Sequence, residues 1–147
     1  MRWPQFLTIP RKPDFVIGGE ASPYLRRWHV IPRNRFMNIY LHQFLRDDDD
    51  RALHTHPYAW NCSILLRGRY DEHLPTGVKS RRAPGFVFRW GEAAHRVVLP
   101  EGRPCWTLFI TGPRVREWFF LCPKGRVHWR DFVSPTDKGS IGRGCDD

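Results

Sequence analysis

Short apolar segments, separated by glycine, proline and charged residues, run along most of the chain. Thirteen prolines and twelve glycines interrupt the sequence often enough to exclude long helices. The segments between them are rich in aromatic and β-branched residues, which favour strands. We therefore predict strands at residues 24–31, 37–44, 60–68, 69–74, 86–90, 95–99, 105–112, 117–122 and 126–129.

The spacing of these segments predicts how they are arranged. Eight or nine short strands that recur every 8 to 12 residues or so are typical of an all-β sandwich or barrel. Arg67-Gly68 predicts a hairpin turn or a sharp corner, and residues 91–94 predict a second tight connection. In segment 37–44, Tyr40 and His42 share one face, which we expect to line a polar barrel interior.

The length of the chain fits a single domain, because 147 residues leave little room for two cores. We predict an irregular arm at residues 1–20, with an edge strand near residues 15–17. A barrel follows at residues 21–133, and a loose polar tail at residues 134–147. No apolar run approaches the ~20 residues of a membrane span, and none near the N-terminus resembles a secretory signal. A cytoplasmic protein without a membrane partner is expected.

The net charge of +9 comes almost entirely from arginine, since only four of the 24 basic residues are lysines. One explanation is a compositional preference for arginine with ordinary surface ion pairs. The other is binding of an anion, because guanidinium offers a planar fork of donors. The basic residues are dispersed and no nucleic-acid motif is present, so a nucleic-acid partner is not expected.

The four cysteines form no CxxC pair and lie far apart in the sequence. Without a secretory signal, a disulfide framework is not expected. Cys62, Cys105 and Cys122 lie in apolar segments, which favours a role as small core residues. Cys145 lies in the polar tail, where we expect an exposed thiol.

His54-Thr55-His56 is the most informative tripeptide. Residues i and i+2 of an extended strand point to the same face. Both imidazoles can therefore reach one metal ion at about 2.0–2.2 Å. Pro57 follows and ends regular strand pairing there, as at the end of a strand near a barrel mouth.

The surrounding sequence resembles the motifs of the cupin superfamily. His54 and His56 are followed by four residues, then by Asn61 where the family usually has Glu, then by six residues and Gly68. A Pro84-Gly85 turn and His95 match the second motif with a longer gap than usual, and Leu99 stands where the family often has Asn. Over residues 24–133 the chain is most similar to small single-domain cupin-like proteins of bacterial and phage genomes.

The resemblance implies a cupin-type double-stranded β-helix, which is a jelly-roll barrel, and a three-histidine site. His54, His56 and His95 would hold a divalent transition metal such as Fe, Mn, Ni, Co or Zn, among which the sequence does not choose. Candidates for an additional ligand or a supporting neighbour are Asn61, Glu72 and His42. The alternative is a vestigial barrel in which the histidines are only hydrogen-bonded residues of the mouth.

The aromatic and basic residues predict further contacts. Arg67 and Arg69 share strand parity, and at least one could enter the barrel mouth and bind the carboxylate or phosphate of a substrate. We expect most strand tryptophans to lie in the core. The C-terminal aromatic residues could pack on the barrel or on a second subunit, which would make a homodimer possible; they are Trp118, Phe119, Phe120 and Trp129.

The sequence is compatible with two competing functions. The first is a mononuclear metal-dependent oxidoreductase, most specifically a dioxygenase, that acts on a small anionic substrate. The second is a non-catalytic module that binds a small ligand in a barrel with a vestigial metal site. The sequence carries no serine-histidine-aspartate arrangement and no phosphate-binding glycine loop that would favour a third class.

Overall fold

A computed structural model describes residues 11–47, 52–100, 102–137 and 140–145 of the chain. These residues form short strands and one helical turn. The elements are β1 (Phe15–Ile17), β2 (Leu25–His29), β3 (Asn38–Phe44), β4 (Leu53–His54), β5 (Trp60–Arg67), β6 (Arg69–Leu74), β7 (Gly77–Arg82), β8 (Gly85–Trp90), β9 (Arg96–Val98), β10 (Cys105–Thr111), β11 (Phe119–Cys122), β12 (Gly125–His128) and α1 (Trp129–Phe132).

A six-stranded antiparallel sheet forms one layer of the fold. Its strand order is β1-β2-β3-β10-β5-β8, so the late strand β10 lies between β3 and β5. In β3 and β10, buried and half-buried residues alternate without exception. This period of two gives the sheet one face toward the core and one face toward the outside.

Two three-stranded sheets, β12-β11-β4 and β7-β6-β9, form the opposite layer. They meet where His54 and His95 exchange backbone hydrogen bonds of 3.0 and 3.1 Å. The layer thus runs from β12 to β7 through this bridge. Its central connection is made by two of the residues that the sequence predicts as metal ligands.

The hydrophobic core lies between the two layers and draws residues from both. It includes Leu65 and Cys105 of the large sheet and Tyr70 and Val97 of the opposite layer, all nearly inaccessible to solvent. The predicted all-β barrel is thereby confirmed, although β4 and β7 were missed. Strand β4 has only two residues, and β7 carries mostly exposed polar side chains that give no apolar pattern.

Gly68 marks a sharp corner between the layers. Strand β5 belongs to the large sheet and β6 to the opposite layer, so the chain changes sheets at this residue. Gly68 has φ of +85°, and a Cβ there would lie 2.7 Å from the carbonyl oxygen of Pro104. Only glycine fits such a position without strain. The corner carries β6, and Glu72 with it, to the histidines.

The prediction for two of the cysteines was wrong. Cys122 and Cys145 form a disulfide that ties the end of β11 to the C-terminal segment. Cys62 and Cys105 are free and buried, as expected. The spacing of 23 residues carries no motif that would have paired the two cysteines in advance.

The described residues contain no helix that is both long and apolar enough to cross a membrane.

Candidate metal centre

The backbone bridge between β4 and β9 brings three histidine side chains together. His54 ends β4, His56 follows two residues later, and His95 directly precedes β9. Their ring centroids are 4.9 to 5.1 Å apart. One ring nitrogen from each lies within 4.8 Å of the other two. The three residues predicted from the sequence therefore form one cluster that could hold a metal ion.

Glu72 fixes the orientation of His95. The buried carboxylate lies 2.8 Å from Nδ1 of His95, so Nδ1 carries the proton and donates it to Oε1. Nε2 of the same ring then has a free lone pair. It lies 3.4 Å from Nε2 of His56. A carboxylate behind a histidine in this way is the usual support of a metal-binding imidazole.

Glu72 itself is held by two arginines. Nε of Arg89 donates to Oε1 at 2.5 Å, and Nε of Arg81 donates to Oε2 at 2.8 Å. The other guanidinium nitrogens of Arg89 contact Asn61, Ser63 and Tyr70. Both carboxylate oxygens are therefore occupied by the protein, which places Glu72 behind His95 and not among the candidate ligands.

Electrostatics keeps the imidazoles neutral and the carboxylate charged. Burial lowers the pKa of His54 and of His56, and the neighbouring His95 and Arg89 lower both further. Burial also lowers the pKa of His95, against the opposing effect of Glu72. Burial alone would raise the pKa of Glu72, but hydrogen bonds from His95 and Arg89 hold it below its usual range. Neutral imidazoles are the form that binds a metal ion.

The spacing of the donor atoms fits a transition metal. With bonds of about 2.1 Å, two imidazole nitrogens on one ion lie about 3.4 Å apart in a tetrahedron and about 3.0 Å apart in an octahedron. The observed Nε2–Nε2 distance between His56 and His95 is 3.4 Å. Neutral nitrogen donors suit Fe, Ni, Co and Zn. The spacing of this pair therefore agrees with a bound transition-metal ion, and the third imidazole offers a nitrogen within 4.8 Å of both.

The histidine cluster opens onto a cavity of about 480 Å³ inside the barrel. Aromatic side chains form much of its wall, with Tyr58 and Phe109 next to His56 and Trp118 next to His54. A volume of this size holds a small organic molecule. The cavity therefore places any such molecule against the three imidazoles.

Comparisons with solved structures identify this architecture. A double-stranded β-helix protein of Klebsiella pneumoniae aligns with a TM-score of 0.56 and 13% identity over 71% of this chain and 89% of its own. A cupin superfamily protein of Desulfitobacterium hafniense aligns with a TM-score of 0.51 and 10% identity over 60% of this chain and 77% of its own. The chain has the cupin fold. No protein-family model and no curated protein matches the sequence.

A third solved structure with the same fold belongs to a longer protein. The DMSP lyase DddQ of Ruegeria pomeroyi aligns with a TM-score of 0.53 and 13% identity. The alignment covers 67% of this chain and 52% of that protein. Identities this low show a common fold and carry no information about a shared reaction.

All three supporting residues that were predicted lie at the cavity or behind its histidines, Glu72 as described above. His42 lines the cavity, with its ring stacked on Phe109 at 5.1 Å between centroids. Asn61 is fully buried and its side-chain oxygen lies 3.4 Å from Nη1 of Arg89. Asn61 thus belongs to the polar cluster around Glu72.

The arginines predicted to bind the substrate lie elsewhere. Arg67 is exposed at the end of β5, and Arg69 forms an ion pair of 3.6 Å with Asp71. Neither lines the cavity. The cavity wall instead includes Arg27, Arg33 and Arg114, which no sequence pattern singled out.

The roles of Arg89 and Arg27 were missed for a common reason. Each occupies a position of a strand that faces inward, where an arginine is unusual. In β8, Val87 and Arg89 face the core, and the aromatic residues that alternate with them, Phe86, Phe88 and Trp90, face out. The sequence pattern suggests the opposite, because aromatic residues are the ordinary choice for a core.

Proposed function

We propose that the protein is a mononuclear metal-dependent enzyme, an oxidoreductase of the dioxygenase kind, which acts on a small anionic substrate inside the barrel. The observation that carries the proposal is the cluster of three neutral imidazoles on the wall of the cavity. A site that only stabilised the fold would be closed to the cavity. This one faces a space that a small molecule can enter.

The protein contributes binding, orientation and electrostatics. His95 is held by Glu72 with its lone pair toward His56, so the donor atoms are oriented in advance. A divalent transition ion bound by three protein ligands keeps open positions, and it supplies Lewis-acid chemistry or, in the case of iron, oxidation by dioxygen. Aromatic side chains form much of the wall beside the histidines, so a small molecule bound there contacts an apolar surface.

Among the described residues, no carboxylate joins the three histidines as a candidate ligand, and this supports an anionic substrate. The position where cupins usually carry Glu is Asn61 here, and Glu72 is fully engaged by Arg81 and Arg89. Three neutral imidazoles leave the charge of a divalent ion uncompensated. A negatively charged molecule in the cavity would therefore be attracted both by the ion and by the arginines of the wall.

Metal analysis tests the proposal directly. Purified protein is loaded separately with Fe(II), Mn(II), Ni(II), Co(II) and Zn(II), and the bound metal is measured by mass spectrometry. We expect close to one ion per chain in the wild type, loss of binding in the double variant His54→Ala/His56→Ala, and no change in His73→Ala, a control on β6 outside the cluster. A wild type that binds no stoichiometric metal would refute the proposal.

Oxygen consumption separates the enzyme from a binding module. The iron-loaded protein is mixed with a panel of small carboxylates and phosphates in an oxygen electrode. Substrate-dependent uptake supports the dioxygenase, and it should be absent in the double histidine variant. Ligand binding without uptake would favour the non-catalytic module, or a non-redox reaction such as that of the lyase with the same fold.

A further inference from the structure

Arg27 occupies an unusual position for a charged side chain. It lies on β2, in the wall of the cavity, and is at least half buried. Its guanidinium lies over the ring of Tyr40, with the central carbon 4.5 Å from the ring centroid. Its Nε donates to Nε2 of His42 at 2.9 Å. Two contacts on different sides therefore hold the guanidinium in one place.

No carboxylate of the described residues balances this charge. Asp14 is the acidic residue among those that line the cavity, but its side chain accepts from Nη2 of Arg11 at 2.9 Å and from the backbone N–H of His29 at 2.7 Å. Arg27 forms no ion pair within 4.0 Å in the described part of the chain, and its one hydrogen-bonded partner is the neutral His42. Burial lowers the pKa of Arg27, as the loss of water around a cation requires.

Such an arrangement costs free energy unless an anion completes it. A desolvated charge without a counter-charge is rare in proteins because nothing replaces the water that it loses. The two terminal nitrogens of Arg27 remain available, and together they fit a carboxylate in bidentate fashion. Arg33 and Arg114 add positive charge to the same wall.

One aromatic ring, that of Phe109, relates Arg27 to the candidate metal centre. Phe109 stacks on His42 at 5.1 Å and contacts His56 at 5.9 Å between ring centroids. Arg27 with His42 and the histidine cluster therefore adjoin the same aromatic ring in the cavity wall. An anionic group on Arg27 would leave several bonds of the same molecule to reach the imidazoles.

We propose that Arg27, fixed by His42 and Tyr40, binds the carboxylate of the substrate, and that the substrate's reacting atom lies a few carbons away from this carboxylate. The role of the reacting atom rests on the proposed function, which this anion site makes more specific. The anion site itself does not depend on a bound metal. The substrate class is a small molecule with an apolar or aromatic body and one terminal carboxylate.

Binding of straight-chain carboxylates to the metal-free protein tests the site. Acetate, butanoate, hexanoate and octanoate are titrated by calorimetry at constant ionic strength. We expect affinity to rise with chain length as the body fills the aromatic cavity, and to fall roughly tenfold or more in Arg27→Gln. Arg27→Lys, which keeps the charge but loses the fork, should show an intermediate loss. Arg69→Gln is the control, because Arg69 is half buried but does not line the cavity.

The outcomes distinguish this proposal from the metal site. Equal carboxylate affinity in the wild type and in both Arg27 variants would overturn the anion site, and so would tighter binding of methyl phosphate than of the carboxylates. Metal stoichiometry is measured on the same samples and should be unchanged in Arg27→Gln. An Arg27-dependent carboxylate site in a protein that binds no metal would support this inference while refuting the proposed enzyme.

A second observation is independent of the cavity. The outward face of the large sheet, which we name the outer face, is almost entirely apolar on four adjacent strands. Its exposed members are Leu66, Phe86, Phe88 and Trp90, and its half-buried members are Ile39, Leu41, Trp60, Ile64, Trp106, Leu108 and Ile110. Strand tryptophans were expected in the core, and this expectation was wrong: Trp90 is 68% exposed.

The exposed area approaches what a stable dimer requires. The three aromatic side chains of β8 by themselves expose roughly 400 Å². The half-buried residues bring the outer face toward the roughly 800 Å² per partner of a standard interface. The predicted dimer contact at the C-terminal aromatics has no such patch, because Phe120 is buried and Trp118 stacks on Trp129.

We infer that the outer face binds the outer face of a second copy of this chain. A mostly apolar face, with Arg67 beside Trp106 as a charged residue at the end of β5, is complementary to itself, which suits a two-fold interface between sheets. The expected state in solution is a dimer, measured by sedimentation velocity at micromolar concentration. Phe86→Glu should shift the protein to monomer. Phe36→Glu is the matched control, since Phe36 is 67% exposed against 64% for Phe86 but lies in the loop before β3.

Two results would contradict the dimer. One is a wild type that sediments as a monomer at every concentration tested. A monomer whose outer face binds lipid vesicles would belong to this result. The other is a dimer that both glutamate variants leave intact. Circular dichroism of each variant establishes that a change of mass does not come from unfolding.

Discussion

At the scale of single residues, Glu72 connects the stability of the barrel to the candidate metal centre. It is fully buried and contacts one histidine of the cluster and two arginines. The carboxylate offsets the charge of Arg89, whose side chain is 4% exposed. It also holds the proton of His95 on Nδ1. One side chain therefore serves both the fold and the site.

Glu72→Gln tests this double role. The amide keeps the shape but removes the charge, and it leaves the buried Arg89 without a counter-charge, so we expect a loss of about 3 kcal/mol in the free energy of unfolding. Metal affinity should fall about 10- to 100-fold, because the orientation of His95 is weakened. Urea denaturation and competitive chelator titration measure the two effects.

Asp71→Asn is the matched control for this change. Asp71 precedes Glu72 on β6 but is half buried, and its partner Arg69 lies 3.6 Å away. An ion pair of this kind contributes less than about 1 kcal/mol. If Glu72→Gln were as stable as Asp71→Asn and bound metal as tightly as the wild type, the assigned role of Glu72 would be wrong.

At the scale of strands and corners, the sequence predicted the site better than it predicted the cavity. The pair His54 and His56 share a face because an extended chain has a period of two, and His95 follows from the motif spacing. Local periodicity is sufficient for His54 and His56, whereas His95 was implied by the resemblance to the cupin motifs. It also identified His42 as inward-facing, since β3 alternates regularly.

Residues whose roles depend on contacts between distant strands could not be predicted. Arg27 reaches the cavity only because β2 pairs with β3, and Arg89 meets Glu72 only because β6 crosses to the opposite layer after Gly68. Arg67 and Arg69 were selected because they follow the histidine motif and share strand parity, whereas Arg27 lies far from that motif in the sequence. Strand parity predicts which residues share a face of a strand. Which space that face adjoins depends on the corner at Gly68, where the chain passes from one sheet to the other.

At the scale of the whole molecule, the disulfide fastens the C-terminal segment to the sheet layer that carries His54. Cys122 ends β11, whose residue Phe120 pairs with His54 across the sheet. Phe120 also stacks on Phe132 at 3.6 Å between ring centroids. Disulfides are typical of oxidising compartments, so the cytoplasmic location expected from the sequence stays a prediction.

Breaking this disulfide should destabilise the side of the barrel that contains β11 and β4. A closed loop of this length constrains the unfolded chain, and its loss in Cys145→Ser should lower the free energy of unfolding by about 3 kcal/mol. Dithiothreitol should destabilise the wild type equally and leave the variant unchanged. Thiol titration in denaturant without reductant should find two thiols in the wild type, from Cys62 and Cys105. Four thiols would contradict the disulfide.

Because Trp118 and Phe132 line the cavity next to this bond, carboxylate affinity should also decrease in Cys145→Ser.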